Sequence, residues 1–124
     1  MKIPQGHQSV MPYLILPEAE NFSEFTKQVF GAKVSLTKLR EDEKTIMHSE
    51  LMIGNSTIMF AGATEQFTPQ TAHLFVYVDN ADETYQKALN NGATSVMGLS
   101  DQDYGRTCGV LDPFGNTWWI TSVN

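Results

Sequence analysis

The sequence predicts an α+β domain built from two βαβββ modules whose mixed sheets form a curved cup. One domain is expected, because a chain of 124 residues buries roughly two thirds of its unfolded surface. The order strand, helix and three strands occurs twice, and both predicted helices end at a Gly-Ala pair, Gly31-Ala32 and Gly92-Ala93. We therefore predict a single domain over residues 1–124, with module one at about 9–61, a linker at 62–71 and module two at about 72–124.

The first module begins with a strand pattern and continues with an amphipathic helix. A polar break at 17–21 precedes Phe22, Phe25 and Val29, which recur at helical spacing. Three more strands are expected, the last two joined by the hairpin signal Gly54-Asn55. The predicted strands of this module are 9–16, 34–39, 45–53 and 56–61.

The second module repeats the order after a polar linker that contains Pro69 and lacks periodicity. Asp79 and Asn80 are typical of the residues before a helix, and Gly92 ends that helix. Residues 112–116 (DPFGN) predict a turn between the last two strands. The predicted helix is 81–91, and the predicted strands are 73–78, 93–97, 107–111 and 117–122.

Alternation along the first strand of each module assigns the two faces of each sheet. In module two, residues 74, 76 and 78 suit the face beneath the helix, while His73, Phe75 and Tyr77 point to the opposite, open face. In module one the same parity places Leu14 beneath the helix and Tyr13 on the open face. We expect the open faces to form a cleft for a small molecule.

Composition and charge exclude several classes of partner. The net charge of −6 repels a phosphate backbone, and the eight Lys and Arg are scattered, so neither nucleic acid nor an anionic membrane is an expected partner. No segment approaches the length of a membrane span. Cys108 is the only cysteine, so no disulfide within the chain is possible, and a cytoplasmic location is expected.

Five short motifs together resemble the vicinal-oxygen-chelate superfamily of glyoxalases, bleomycin-resistance proteins and dioxygenases. Residues 73–80 (HLFVYVDN) resemble the opening of the second module in glyoxalases, and residues 112–116 resemble the turn before the last strand of the family. Residues 30–32 (FGA), 48–54 (HSELMIG) and 91–93 (NGA) are similar to the PhnB-like branch. The resemblance covers nearly the whole chain, and it implies the glyoxalase/bleomycin resistance/dihydroxybiphenyl dioxygenase fold.

The resemblance also implies a homodimer and, in enzymatic members, a divalent metal held by His, Gln or Glu on the first and fourth strands of each half. His73 stands at one of these places, whereas Met11 and Trp119 stand at or beside two others. Residues 56–60 offer neither carboxylate nor imidazole. We therefore expect an incomplete metal site and no cofactor, with a divalent metal as the alternative.

His48 and Glu50 are the candidate catalytic residues, because two positions apart on a strand they share a face and would form an acid and base pair. An ordinary ion pair at a strand edge is the alternative. The candidate ligand-binding residues are Tyr13, Phe60, His73, Phe75, Tyr77, Arg106 and Trp119. His73 without a metal would be a hydrogen-bonded histidine, and an isolated arginine such as Arg106 is more often a solvated surface group.

The residues favour noncovalent binding of a small organic molecule in an aromatic cavity, and the acidic charge leaves room for a cationic ligand. The alternative is a metal-dependent lyase, isomerase or dioxygenase whose rearranged site contains His48, Glu50 and His73, with His73 and Glu50 as metal ligands. A third interpretation is a cleft filled by the protein's own aromatic side chains. Cys108 is expected to be a buried structural thiol, and Trp118 a core residue.

Overall fold

A computed structural model describes residues 1–124 and contains two helices and eight strands, with a short 3-10 turn at Ala19–Asn21. The helices are α1 (Phe22–Phe30) and α2 (Ala81–Asn90). The strands are β1 (Tyr13–Leu16), β2 (Lys33–Leu39), β3 (Ile46–Ile53), β4 (Ser56–Gly62), β5 (His73–Tyr77), β6 (Thr94–Gln102), β7 (Gly105–Leu111) and β8 (Thr117–Ser122).

The strands form two four-stranded sheets of the same topology. Their orders are β1-β4-β3-β2 and β5-β8-β7-β6. In each sheet the first strand pairs in parallel with the last, and the other neighbours are antiparallel. The predicted α+β class with paired βαβββ modules and mixed sheets is confirmed.

Two strands differ from the prediction by four residues in length, and the others agree within two residues. β1 begins at Tyr13 and not at residue 9, at the point where Pro12 has no N–H to contribute to the ladder. β6 extends to Gln102 and forms a hairpin with β7, because the ladder resumes at Ser100 and Thr107 after a register shift. A bulge of this kind is invisible to a simple alternation pattern.

The helices begin and end where the local sequence provides caps. α1 ends at Gly31, whose φ of 70° is the left-handed conformation that glycine adopts without steric cost. α2 begins after Asn80, whose side chain accepts a hydrogen bond from the Glu83 N–H. Neither helix has the length and apolar character needed to cross a lipid bilayer.

The two modules share one core, which lies between the helix-covered faces of both sheets. Phe22 of α1 packs edge to face against Phe60 of its own module and Phe114 of the other, with ring centroids 5.0 and 5.4 Å apart. Phe30 of module one packs on Trp118 of module two, with ring centroids 4.5 Å apart. The helix-covered faces are thus used for packing within the chain, and exposed aromatic side chains such as Phe75 and Tyr77 lie on the open face of the second sheet.

The turn between β7 and β8 is organised by Asp112, which is buried. Its Oδ1 accepts hydrogen bonds from the N–H groups of Phe114 and Asn116 at 2.8 and 2.9 Å. Its Oδ2 accepts from Asn116 Nδ2 at 3.0 Å and from the Trp118 indole at 2.8 Å. Asp112 therefore forms the predicted turn and also anchors Trp118, a core residue as expected.

Candidate functional site

The open face of the second sheet is centred on His73 of β5 and Trp119 of β8. Their rings are nearly parallel, with an interplanar angle of 14° and a centroid distance of 6.1 Å. The Trp119 indole N–H donates to His73 Nδ1 at 3.2 Å. Because Nδ1 accepts this bond, the neutral imidazole carries its proton on Nε2. The open face therefore presents a planar imidazole and indole pair with an N–H donor.

Three further aromatic residues extend this face. Phe75 and Tyr77 of β5 pack edge to face with ring centroids 5.3 Å apart. The ring centroid of Tyr104, in the β6–β7 hairpin, lies 6.4 Å from that of Phe75. The exposed fractions of Phe75, Tyr77 and Tyr104 are 52%, 69% and 51%. Rings this exposed contribute little to the core and are available to a ligand or to another chain. Alternation in the sequence placed Phe75 and Tyr77 on the open face. The position of Tyr104 beside them depends on the β6–β7 hairpin and had no such signal.

On the open face of the first sheet, Glu50 of β3 joins two histidines. His48 Nε2 lies 2.8 Å from Glu50 Oε2, and His7 Nε2 lies 2.7 Å from Glu50 Oε1. Glu50 is only 8% exposed, so its charge is held among these donors and away from bulk water. His48 and Glu50 share a face as the alternation predicts, whereas the contact with His7 spans 43 residues of chain and has no local signal.

The segment before β1, residues 1–12, places His7 on this face. The hydroxyl of Thr57 on β4 donates to the carbonyl of Gly6, and Gln8 Nε2 donates to the carbonyl of Thr57 at 2.9 Å. The Thr57 N–H donates to Gln8 Oε1 at 3.4 Å. These bonds hold the backbone on both sides of His7 against β4, which neighbours β3, the strand of Glu50.

The hydrogen bonds of Glu50 determine its electrostatic state. Donation from His48, and then from His7, lowers the pKa of the Glu50 carboxyl below its ordinary value of 4.5, in spite of the opposing effect of burial. Glu50 is therefore an ionised acceptor at neutral pH. Tyr13 completes the group, because its hydroxyl lies 3.1 Å from His48 Nδ1.

His73 does not join His48 and Glu50 within one chain. It lies in the second sheet, on Trp119, while Glu50 is occupied by His7 and His48. No three His, Cys, Asp or Glu residues are arranged to hold a metal ion. The fourth strand of the first module is one of the places where the family resemblance implies a metal ligand. The residues of β4 on the open face are Thr57, Met59 and Ala61.

Phe60 does not line an open cavity, which corrects the prediction for this residue. It is completely buried, packs on Phe22, and pairs in the ladder with Leu14, a core residue. Residues directly paired in a ladder share a face, so Phe60 points beneath α1. The register between β1 and β4, which decides this orientation, could not be obtained from the sequence.

Arg106 is likewise not free on the open face. It shares a strand face with Cys108 and Val110, and its guanidinium binds Asp82 of α2 at 2.5 and 3.0 Å and Asp101 at 3.1 Å. These carboxylates raise the pKa of Arg106, and Arg106 lowers the pKa of Asp82. Two acidic partners already neutralise the cation, so a ligand carboxylate or phosphate would have to displace them.

Cys108 is completely buried beneath the helices, as expected for a structural thiol. Burial raises its pKa to about 11, so the thiol stays protonated and unreactive near neutral pH.

A groove of about 780 Å³ opens between the modules, away from His48, Glu50 and the Trp119 indole. Phe30, Ile53, Leu74, Val76 and Trp118 provide most of its apolar wall. These residues belong to the helix side of the sheets or pack against the core. Phe75, Tyr77 and Thr57 also line the groove, so it extends to residues assigned to both open faces.

Comparison with known proteins places the chain in a family. A family model described as the Glyoxalase/Bleomycin resistance protein/Dioxygenase superfamily matches residues 10–120. Mb0911c, an uncharacterized protein of Mycobacterium bovis, is 32% identical over 89% of this chain and 80% of its own length.

Two solved structures share the fold at low identity. The PhnB protein from Bacillus cereus superposes with a TM-score of 0.72 and 15% identity over 94% of this chain and 100% of its own. TnmS3, an antibiotic binding protein from Streptomyces sp. CB03234, has a TM-score of 0.69 and 14% identity over 95% and 100% of the two chains. The chain belongs to the glyoxalase/bleomycin resistance protein/dioxygenase superfamily and is similar in structure to its PhnB-like members.

Proposed function

We propose that the protein binds a small organic molecule noncovalently on its open faces, with flat aromatic character as the main recognition feature. The observation that carries the proposal is the row of exposed rings on the second sheet, where Phe75 and Tyr77 are 52% and 69% exposed. The His73–Trp119 pair beside them is held by its own hydrogen bond. A preformed aromatic surface binds planar ligands at low entropic cost.

Charge favours a neutral or cationic ligand over an anionic one. The chain has a net charge of −6, Glu50 is ionised on the first open face, and Arg106 is occupied by Asp82 and Asp101. Exposed rings attract cations through their quadrupoles. TnmS3, a structural relative, is an antibiotic binding protein, which supports the proposal that this chain also sequesters an organic compound.

We further propose a homodimer in which the open face of the first sheet of one protomer meets that of the second sheet of its partner. Within one chain the helix-covered faces already pack together, and exposed rings such as Tyr13 and Phe75 remain on the open faces. Pairing these faces would enclose a cavity and cover the exposed rings. Size-exclusion chromatography with light scattering measures the mass directly, and a monomer at all concentrations would contradict the dimer.

The proposed binding does not use the metal of the enzymatic relatives, because the donor set does not fit one. The open face of β4 offers Thr57 and Met59, Trp119 stands on β8, and His73 Nδ1 is occupied by the indole. Catalytic metals usually need about three protein ligands. Elemental analysis should find no stoichiometric metal, whereas one metal per chain that is lost in His73→Ala would support a lyase, isomerase or dioxygenase.

The cytoplasm is the proposed location, supported by the free, buried Cys108.

Ligand titration followed by intrinsic fluorescence tests the binding, since Trp119 is on the open face while Trp118 is buried. A panel of planar neutral and cationic aromatics should include ligands that quench Trp119. Tyr77→Ala should raise their Kd about tenfold, the usual effect of losing one aromatic contact at a binding surface. Phe67→Ala is the matched control, because Phe67 is 59% exposed but lies in the linker between modules. Equal effects of both substitutions, or no binding by any member, would overturn the proposal.

A further inference from the structure

Three polar side chains on the first sheet form a continuous hydrogen-bonded chain from the interior to the surface. His48 Nε2 is 2.8 Å from Glu50 Oε2, and Tyr13 Oη is 3.1 Å from His48 Nδ1. An ionised carboxylate can only accept, so His48 donates from Nε2. In the neutral imidazole Nδ1 then has no proton, and it accepts the hydrogen bond of the Tyr13 hydroxyl. The direction of every bond in the chain is therefore determined.

The inner end of this chain is anchored and the outer end is open. Glu50 is 8% exposed, and its second oxygen accepts from His7 at 2.7 Å. Tyr13 is 49% exposed, so a ligand on the open face reaches the group at the phenol. The arrangement has the order of a hydroxyl, an imidazole base and a carboxylate that orients the base.

We propose that Tyr13, His48 and Glu50 form a proton relay that takes the proton of a bound ligand carrying an acidic hydroxyl, such as a phenol or an enol. The O–H bond of the ligand breaks and its proton moves to Tyr13 Oη, while the proton of Tyr13 moves to His48 Nδ1. The ligand becomes an oxyanion and His48 becomes an imidazolium, so the total charge of the complex is unchanged. The relay rests on the proposed function, because it requires a small organic molecule on the open face.

Glu50 is the group that makes this transfer favourable. A carboxylate 2.8 Å from Nε2 stabilises the imidazolium that the transfer creates. The other titratable groups facing His48 are Tyr13, His7 through Glu50, and Lys38, its ladder partner on β2. Lys38 is exposed at the surface, where solvent and salt screen its repulsion of the imidazolium. Tyr13 is the residue that contacts the ligand, and His48 and Glu50 act through it.

Para-nitrophenol and its methyl ether, para-nitroanisole, test the relay. In the ether a methyl group replaces the acidic proton. The nitrophenol should bind about tenfold more tightly than the ether, the affinity equivalent of one charge-assisted hydrogen bond. Bound nitrophenol should also show the visible phenolate band, with a phenolate-to-phenol ratio about tenfold above that of free probe at the same pH. The band is a spectroscopic signature that a purely structural role would not produce.

Tyr13→Phe and His48→Gln should abolish both the preference for nitrophenol over nitroanisole and the phenolate band, and thermal unfolding verifies that the variants are folded. Tyr85→Phe is the matched control, because it removes a phenol on α2 that bonds Ser95 away from the open faces, and it leaves the relay complete. Wild-type protein that binds the two probes equally would overturn the relay and leave the proposed function standing. Failure to bind either probe would also overturn the relay, and the aromatic panel would then decide the proposed function separately. A phenolate band that persists in Tyr13→Phe or His48→Gln would likewise contradict the relay.

Discussion

The indole of Trp119 lies directly on Gly109. A Cβ at position 109 would be 2.5 Å from Cζ3 of Trp119 and 2.8 Å from its Cε3. Gly109 and Trp119 are partners in the β7–β8 ladder, so the absence of a side chain on β7 creates the space in which the ring rests on the sheet. The flat open face of the second module thus depends on a glycine as much as on the aromatic residues.

Gly109→Ala is expected to displace Trp119 and disrupt its hydrogen bond to His73. Overpacking should cost about 2 kcal/mol in the free energy of unfolding and weaken binding of aromatic ligands. Urea denaturation and fluorescence titration measure the two effects. Gly98→Ala is the control, since a Cβ at Gly98 would contact nothing within 4 Å. If Gly109→Ala binds and unfolds like Gly98→Ala, the indole is not seated as described.

Substitutions of Phe60 and Phe75 should have different effects, with Phe60→Ala reducing the free energy of unfolding and Phe75→Ala weakening ligand binding. Phe60→Ala removes a completely buried ring and should lower the free energy of unfolding by about 4 kcal/mol. Phe75→Ala removes a ring that is half exposed, so it should affect unfolding by less than about 1 kcal/mol while weakening ligand binding. Thermal unfolding and titration of the two variants provide the comparison, and a large stability loss in Phe75→Ala would show that its ring belongs to the core.

Asp112→Ala should be among the most damaging single substitutions. It leaves the backbone donors of Phe114 and Asn116 and the Trp118 indole without their acceptor in a buried turn. The expected loss is about 3 kcal/mol or more, because each unsatisfied buried donor carries a desolvation penalty. Asp103→Ala, in the exposed β6–β7 turn, is the control and should change the urea midpoint little. Similar midpoints for the two variants would argue against the anchoring role.

Glu50 should make stability depend on pH in the acidic range. The folded-state pKa of Glu50 is lowered from 4.5, so its contribution is complete above that value and is lost as the pH falls through the folded pKa. Glu50→Gln should be destabilised by about 2 kcal/mol near neutral pH, and the gap to the wild type should close as the pH falls below the ordinary carboxyl value. Glu41→Gln removes an exposed carboxyl and serves as the control. Urea midpoints from about pH 7 to about pH 3 test this, and a gap that stays constant would contradict it.

The thiol of Cys108 should react only when the protein opens. Its pKa is raised to about 11, and it is completely buried. At about pH 8 roughly one thiol in a thousand is ionised, so Ellman's reagent should label the native protein far more slowly than the unfolded chain. Labelling in native buffer at the rate seen in urea would show that the strand opens readily.

The fold class was predictable because its signals are local. Alternation along β5 separated Phe75 and Tyr77 from the core side, helical spacing identified α1, and residues 112–116 indicated the turn that Asp112 forms. Family resemblance and repeat order then determined the paired βαβββ architecture, which the topology confirms. His48 and Glu50 could be placed on one face for the same reason, since a strand has a period of two residues.

Long-range packing decided what these patterns could not. The register of β1 on β4 directs the Phe60 side chain into the core. The packing of α2 near β7 allows Asp82 to form an ion pair with Arg106. The residues before β1 brought His7 to Glu50, which defines the polar group on the first sheet. The modules and the faces of their strands could be predicted from the amino-acid order alone, because they follow from the stereochemistry of neighbouring residues. Which faces pack together is visible in the folded chain and not in the local patterns, because it depends on contacts between residues far apart in the chain.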